Sequence, residues 1–259
     1  QLGNVYYDVA PCVTQAMAVA KPSAAIAITN LSHVYDGAPH GATVTTVPEG
    51  LTVETTYDGS LSLPVAIGSY AVTCVVNDVL YGGTATATYT ITRMPQTVDF
   101  PDPGAQWTTN VVGLAATASS GLPVTFFVAA GPGTIGGGTN LSFTGAGTVS
   151  VVAAQAGDAD WLPAAATNDL LVSKVAGTLT LGDLEQAYDG TARAASATTE
   201  PAGLAVAFTY DGHGWAPTNA GRYAVNGALD DPFYAGAATG TLVVAKADQT
   251  LAFPEVPPR

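Results

Sequence analysis

Histidines are the residues of this sequence best suited to metal binding or proton transfer, and two of the three, His33 and His40, lie close together. They stand on either side of a Tyr-Asp-Gly triplet at Tyr35–Gly37. A shift of 153 residues brings Gln186 and Arg193 to the positions of these histidines. A metal-binding or general-base role would therefore have to be gained or lost between two copies of one segment. The favoured interpretation is that both histidines are exposed polar residues of loops.

Paired carboxylates are the second kind of candidate. They occur in "GDADW" (Gly157–Trp161) and in "LDDP" (Leu229–Pro232), both in predicted loops. Carboxylate oxygens are the ligands that Ca²⁺ prefers, and a net charge of −13 attracts cations. The sequence has no dense Asp-x-Asp-x-Asp-Gly loop, so solvated turns are the favoured interpretation. No cofactor is predicted, and calcium is the alternative.

Aromatic side chains in loops are the third kind of candidate, because flat rings stack on sugars and pack against proteins. Trp215 is the strongest of them, since the first copy has Ser62 at the same position. The predicted glycan- or protein-binding surface consists of Trp215, Phe233 and Tyr234. The favoured interpretation is nevertheless that these rings fill the core or the edge of a small β domain, because each sandwich needs a few large rings to fill it.

The composition favours short strands joined by tight turns. Of the 259 residues, 47% are hydrophobic and 10% are charged, and 29 Gly and 17 Pro disfavour helices. Seven Lys and Arg cannot supply the clustered cations that nucleic acids or anionic membranes require. The sequence also lacks an apolar run long enough to span a bilayer, a nucleophile elbow, a zinc-binding helix motif and a phosphate-binding loop. We therefore expect neither nucleic acid binding, nor membrane insertion, nor enzyme activity.

The chain is an internal repeat. Over residues 21–93, a shift of 153 residues gives 27 identities in 73 positions without a gap. Basic residues close four strand-like runs at intervals of 72, 81 and 72 residues: Lys21, Arg93, Lys174 and Lys246. These seams predict a first A module (22–93), a B module (94–174) and a second A module (175–246). Residues 1–21 are predicted to be the C-terminal part of a further B module, and residues 247–259 the first strand of another.

Four Tyr-Asp-Gly triplets recur in the A modules, at residues 35–37, 57–59, 188–190 and 210–212. Asp-Gly at the end of a strand is a strong signal for a tight turn, because Gly adopts positive φ and Asp bonds its own backbone. The preceding Tyr can cover the edge of a sandwich. The triplets are therefore interpreted as scaffold. The predicted fold is all-β, with tandem small antiparallel β-sandwich (Ig-like) modules in an extended, beads-on-a-string arrangement.

The A modules resemble the bacterial MBG-type ("YDG") repeats of large surface proteins. The matching stretches are "LSHVYDGAPHGATVTTVPEGLTVETTYDGS" and "IGSYAVTCVVNDVLYGGTATATYTI", with their later copies. The B module resembles bacterial immunoglobulin-like repeats, on "LAATASSGLPVTFFVAAGPGTI" and "FTGAGTVSVVAAQAGDADW". The resemblance implies spacers or adhesive stalks without catalytic residues. A β-grasp-like fold is the lesser alternative for the A modules.

These observations predict a non-catalytic repeat segment of a bacterial extracellular fibre, stalk or surface protein. The alternative is an adhesin segment that binds glycans or surface proteins through its aromatic loops. A further hypothesis is that terminal strands 1–21 and 249–259 complete a B module between neighbouring copies by head-to-tail strand addition. About fifty residues of such a module would be missing, so a window of a longer array is the favoured expectation.

Overall fold

The computed structural model describes residues 5–252, and every regular element in that range is a β-strand. Contacts within the chain divide it into two compact units. Unit 1 comprises Gln1–Pro95 with Asp158–Leu162, and unit 2 comprises Gln96–Gly157 with Pro163–Arg259. Over the described residues we find no helix with the length and apolar character needed to cross a membrane.

The first A module contains six strands. They are β1 (Ala25–Thr29), β2 (Ser32–Val34), β3 (Thr43–Val47), β4 (Val53–Tyr57), β5 (Gly68–Val76) and β6 (Thr84–Thr92). Strands β1 and β3 form one small sheet, and β2-β6-β5-β4 form a second. Side chains alternate between core and solvent along both sheets, so each sheet presents one apolar face. These faces enclose a core of Tyr57, Val72, Cys74, Tyr89 and Ile91.

Nine strands belong to the B module. They are β7 (Val98–Asp99), β8 (Gln106–Trp107), β9 (Val111–Gly113), β10 (Thr117–Ala118), β11 (Thr125–Ala130), β12 (Gly133–Gly136), β13 (Asn140–Phe143), β14 (Gly147–Gln155) and β15 (Ala164–Ser173). They form the sheets β10-β7, β11-β14-β15-β8 and β12-β13-β9. Phe100, Leu141, Val149 and Leu170 are among the buried residues of a core separate from that of either A module.

The second A module repeats the six strands of the first and adds two short ones. It contains β16 (Val175–Ala176), β17 (Thr178–Gly182), β18 (Glu185–Ala187), β19 (Ser196–Glu200), β20 (Val206–Tyr210), β21 (Gly221–Leu229), β22 (Tyr234–Ala235) and β23 (Ala237–Ala245). The six strands shared with the first module begin and end 153 residues later, and they form the same sheets, β17-β19 and β18-β23-β21-β20. The predicted period is confirmed in the backbone.

The prediction of tandem all-β modules is confirmed, with one refinement. The long strand pairs are antiparallel, but each four-stranded sheet also has a short parallel edge: β2 on β6, β8 on β15 and β18 on β23. Residues 5–252 contain no helix, so the A modules lack the helix that a β-grasp sheet normally covers. Head-to-tail strand addition stays a prediction, because Gln1–Asn4 and Phe253–Arg259 lie outside the described residues.

The second Tyr-Asp-Gly triplet of each A module forms a two-residue hairpin turn, as predicted. In the first module Asp58 and Gly59 have φ of 46° and 81°, and the N–H of Tyr57 donates to the Ser60 carbonyl at 2.8 Å. Positive φ at both central residues matches the right-handed twist of the flanking strands. The Asp58 carboxylate also accepts the N–H of Ala71 at 2.8 Å. The turn therefore fixes its own geometry and the start of β5.

The tyrosine of this triplet is a buried hydrogen-bonding residue. Tyr57 and Tyr210 are 4% and 5% exposed. The Tyr57 hydroxyl accepts the N–H of Ala42 at 2.8 Å, and the Tyr210 hydroxyl accepts the N–H of Ala195 at 2.9 Å. Both alanines lie just before a strand, where no neighbouring strand supplies an acceptor. The hydroxyl thus takes the place of the carbonyl that a neighbouring strand would otherwise supply to this N–H group.

We predict that Tyr210→Phe lowers the free energy of unfolding of the second A module by about 1–3 kcal/mol, because a buried N–H loses its acceptor. Urea unfolding followed through the amide NMR signals of β21 measures this change. Tyr188→Phe is the matched control, since Tyr188 is 41% exposed, and it should change stability by less than about 0.5 kcal/mol. Equal effects of the two variants would contradict the assigned role of Tyr210.

Candidate functional site

Trp215 lies in the loop between β20 and β21, and 68% of it is exposed. Its ring stacks on that of His213, with centroids 4.6 Å apart and planes at 20°. The loop borders a shallow pocket of about 270 Å³ that also includes Pro217, Asn219 and Tyr223. The first A module has Ser60 and Ser62 where this module has His213 and Trp215. The ring pair is therefore specific to the second copy.

Phe233 and Tyr234 lie at the other end of β21 from Trp215. Nine residues of extended chain span about 27 Å, so the two ends of that strand cannot share one small surface. Phe233 is half-buried, and its carbonyl accepts the Val175 N–H at 2.9 Å and the Thr108 hydroxyl at 2.6 Å. The structure thus separates the three predicted surface residues into two places. Ligand binding at either place stays a prediction.

Two of the aspartates considered as calcium ligands cap tight turns, and Asp78 caps a third turn in the same way. In each of three turns, one Asp oxygen accepts the backbone N–H groups of the second and third following residues. We call these the seam turns: Asp78–Tyr81 (2.7 and 2.9 Å), Asp158–Trp161 (2.9 and 2.9 Å) and Asp231–Tyr234 (2.7 and 2.9 Å). The N–H groups of Tyr81 and Leu80 hold the pKa of Asp78 below its usual value. Asp158 and Asp231, two of the predicted calcium candidates, therefore each use one oxygen in the fold.

A basic seam residue donates to the carbonyl of the aspartate in each seam turn. The pairs are Lys21 with Asp78, Arg93 with Asp158 at 3.2 Å, and Lys174 with Asp231 at 2.6 Å. The chain just after each basic residue then pairs in parallel with the end of the turn: Ser23 with Gly82, Met94 with Trp161, and Val175 with Tyr234. Every pair lies within one compact unit. The basic residues that mark the seams in the sequence thus fasten the start of a module to its own loop.

His33, Asp36 and His40 form a cluster that the interpretation as exposed loop residues missed. His33 lies in β2, Asp36 in the first Tyr-Asp-Gly triplet and His40 in the following loop. Their side chains are 37%, 49% and 32% exposed. The imidazole rings stack with centroids 3.5 Å apart and planes at 29°. Both Nε2 atoms face the carboxylate, at 3.5 Å for His33 and at 2.9 Å for His40.

The carboxyl group of Asp36 is held in its charged form. The N–H of Ala38 and the ring of His40, followed by the ring of His33, lower the pKa of Asp36 from 3.8 to about 2. A lowered pKa means that this group stabilises the folded state above pH 3.8. That contribution is lost as the pH falls towards 2. The Tyr-Asp-Gly turn thus holds an anion between two imidazoles.

The second copy keeps the anion but changes its partners. The hydroxyl and N–H of Thr191 lower the pKa of Asp189, and the Arg193 guanidinium forms an ion pair with its carboxylate. Gln186, at the position of His33, donates to two backbone carbonyls at 2.8 Å. The spacing His-x₂-Asp-x₃-His across a turn was the sequence signal for the cluster. It was outweighed by the differences between the two copies.

We predict that ¹³C NMR titration of wild-type protein gives Asp36 a pKa of about 2. His40→Ala should move that pKa towards 3.8, because the second-largest cause of the shift is removed while the Ala38 N–H remains. Asp189, which has no histidine partner, is the internal control and should titrate alike in both proteins. An Asp36 pKa that is the same with and without His40 would contradict the described contacts.

Comparison with known protein families matches the MBG domain to residues 24–95 and 177–248, which together cover more than half of the chain. Comparison with curated protein sequences gives no match. Among solved structures, the chain is similar to SGBP-B of the Bacteroides ovatus mixed-linkage glucan utilization locus, in complex with a mixed-linkage heptasaccharide. The identity is 13% and the TM-score is 0.23, over 87% of this chain and 71% of that one.

Two further similar structures are of immunoglobulin domains and of a cadherin. Sidekick-1 immunoglobulin domains 1–4 match at 11% identity and a TM-score of 0.28, over 89% of this chain and 73% of that one. Drosophila N-cadherin EC1-3 matches at 11% identity and a TM-score of 0.23, over 71% and 78%. Scores this far below 0.5 assign no activity. The family is instead identified by the two matched segments, which contain the six strands common to both A modules: this chain belongs to the MBG domain family.

Proposed function

We propose that the chain is a non-catalytic structural segment of a bacterial extracellular fibre, stalk or surface protein. MBG domains are non-catalytic repeats that occur in secreted and surface proteins of bacteria. The three segments of this chain have three separate buried cores. A chain built in this way gains length by adding modules, without rebuilding a core.

The recurrence of the seam turn is the observation that carries this proposal. Its capped aspartate, basic donor and parallel pairing occur once in each of the three modules, although the B module differs in sequence and topology from the A modules. A ligand site would not require the same backbone device in unlike modules. A joint that must resist pulling requires the same arrangement in every module, because tension is applied where the chain enters the module.

We predict that Asp231→Ala lowers the unfolding force of the second MBG domain. The variant removes the acceptor of two N–H groups at the entry of that domain, and should cost about 1–3 kcal/mol at equilibrium. Single-molecule stretching of the whole chain measures the force. Unfolding of the 72 residues from 175 to 246 should release roughly 25 nm of chain at about 3.6 Å per residue.

Asp230→Ala is the matched control, since the neighbouring Asp230 is exposed. It should leave the force unchanged. If Asp231→Ala also unfolds at the wild-type force, the seam turn does not resist tension, and the structural proposal loses the observation that carries it.

An adhesin segment is the second candidate function, favoured by the exposed Trp215 ring and its stacking on His213. A stacked pair of aromatic rings with one face exposed offers a flat apolar surface on which a sugar ring can pack. Phe233 and Tyr234 would contribute only to a separate contact, at the far end of β21. Trp215 and His213 are therefore the residues on which glycan binding depends in this alternative.

We predict for this alternative that glycan-array binding by the wild-type chain falls at least tenfold on Trp215→Ser, the residue type of the first copy. Trp107→Ser is the control, because Trp107 is also exposed, at 52%, but stacks on no second ring within residues 5–252. Binding that survives Trp215→Ser, or that is absent from the wild-type protein, would contradict the adhesin function and leave the structural one standing.

A further inference from the structure

We propose that His33, Asp36 and His40 form a zinc-binding site in the first MBG domain. Two imidazoles and one carboxylate are a donor set that suits Zn²⁺, and three protein ligands leave a fourth position for water. Each of His33, Asp36 and His40 offers one ligand atom, a ring nitrogen or a carboxylate oxygen, and these atoms lie within 4.8 Å of one another. Among the described residues, this is the group that brings together histidines with a carboxylate at metal-binding distances.

The backbone holds the three ligands independently of one another. His33 is fixed by the pairing of β2 with β6. Asp36 is fixed by the bond from the Ala38 N–H to its carboxylate at 2.9 Å, and His40 by the bond from its N–H to the Pro64 carbonyl at 3.1 Å. A site whose ligands are already in place loses less conformational entropy when the metal binds. The cluster is therefore preorganised.

The distances require only a small adjustment. Ligands of tetrahedral zinc lie about 2.0–2.2 Å from the metal, and hence about 3.3 Å from one another. His40 Nε2 already lies 2.9 and 3.0 Å from the two Asp36 oxygens. Zinc would take the place of the hydrogen bonds between the rings and the carboxylate, and would bind each histidine as the neutral imidazole that keeps its one proton on the other ring nitrogen. The partial exposure of all three side chains leaves room for ring rotation and for the water ligand.

The second MBG domain supplies the natural counterexample. Its loop has the same anchor, from the Arg193 N–H to the Pro217 carbonyl at 2.8 Å. The guanidinium of Arg193 has no lone pair for a metal and already neutralises Asp189. The two domains thus share one backbone. In the first, the aspartate contacts two imidazoles that can bind a metal; in the second, it contacts a guanidinium that cannot.

Isothermal titration of the whole chain with ZnCl₂ tests the site, with Cys12→Ser in every protein because that thiol is exposed. The parent should bind one zinc ion per chain. His33→Gln/His40→Arg, which installs the residues of the second domain, should weaken binding at least a hundredfold. Gln186→His/Arg193→His, which installs the residues of the first, should add a second equivalent. Co²⁺ absorption and the imidazole NMR signals of His33 and His40, with those of His213 as reference, locate the metal.

Circular dichroism of each variant establishes that it is folded. One equivalent in the parent that is lost with His33→Gln/His40→Arg supports the site, and a second equivalent in the reverse variant supports it further. No zinc binding by the parent, or equal binding by the His33→Gln/His40→Arg variant, overturns it. Cobalt signals at His213 in place of His33 and His40 would overturn it as well.

Discussion

The need to bond backbone N–H groups that lie outside the strand ladders dominates this structure. Residues 5–252, built of short strands without a helix, have many such groups, and each one buried without an acceptor is costly. Here the acceptors are aspartate carboxylates and a tyrosine hydroxyl. Asp58 and Asp211 bond the next long strand, and Tyr57 and Tyr210 bond the residue before a strand on the facing sheet. The recurring Tyr-Asp-Gly triplet follows from this requirement.

The seam turns apply the same principle at the ends of the modules. A carboxylate satisfies two N–H groups of a loop, a basic residue satisfies the carbonyl of the same aspartate, and the entering chain pairs with the loop. Three of the seven Lys and Arg residues in the chain make these bonds. The scarcity of other cations explains why the net charge reaches −13. Local bonding and proposed mechanical function thus depend on the same residues.

Much of the fold could be predicted from the sequence, because the period, the seams and the Asp-Gly turns depend on local residue patterns. The strands of the two A modules begin and end 153 residues apart, as the alignment of the copies predicts. The contacts of Asp36 could not be predicted in this way, since they require the turn to fold His33 and His40 onto one carboxylate. The separation of Trp215 from Phe233 likewise depends on the length and direction of β21. A residue pattern in the sequence does not specify the distances between side chains that are far apart along the chain or on different elements.

Differences between the copies occur in strands as well as in loops, on a backbone that both copies share. His33 and His40 are replaced by Gln186 and Arg193, and Ser60 and Ser62 by His213 and Trp215, while the bonded tyrosines and aspartates remain. The scaffold is thus constant, and the side chains that could carry chemistry vary.

The central claim is that side chains bond the backbone N–H groups outside the strand ladders. Native-state hydrogen exchange tests it most directly, through the amides of Ala42 and Ala195. The account predicts protection within about tenfold of the strand amides of Val72 and Val225. Exchange of these two amides at the rate of an exposed loop would contradict it.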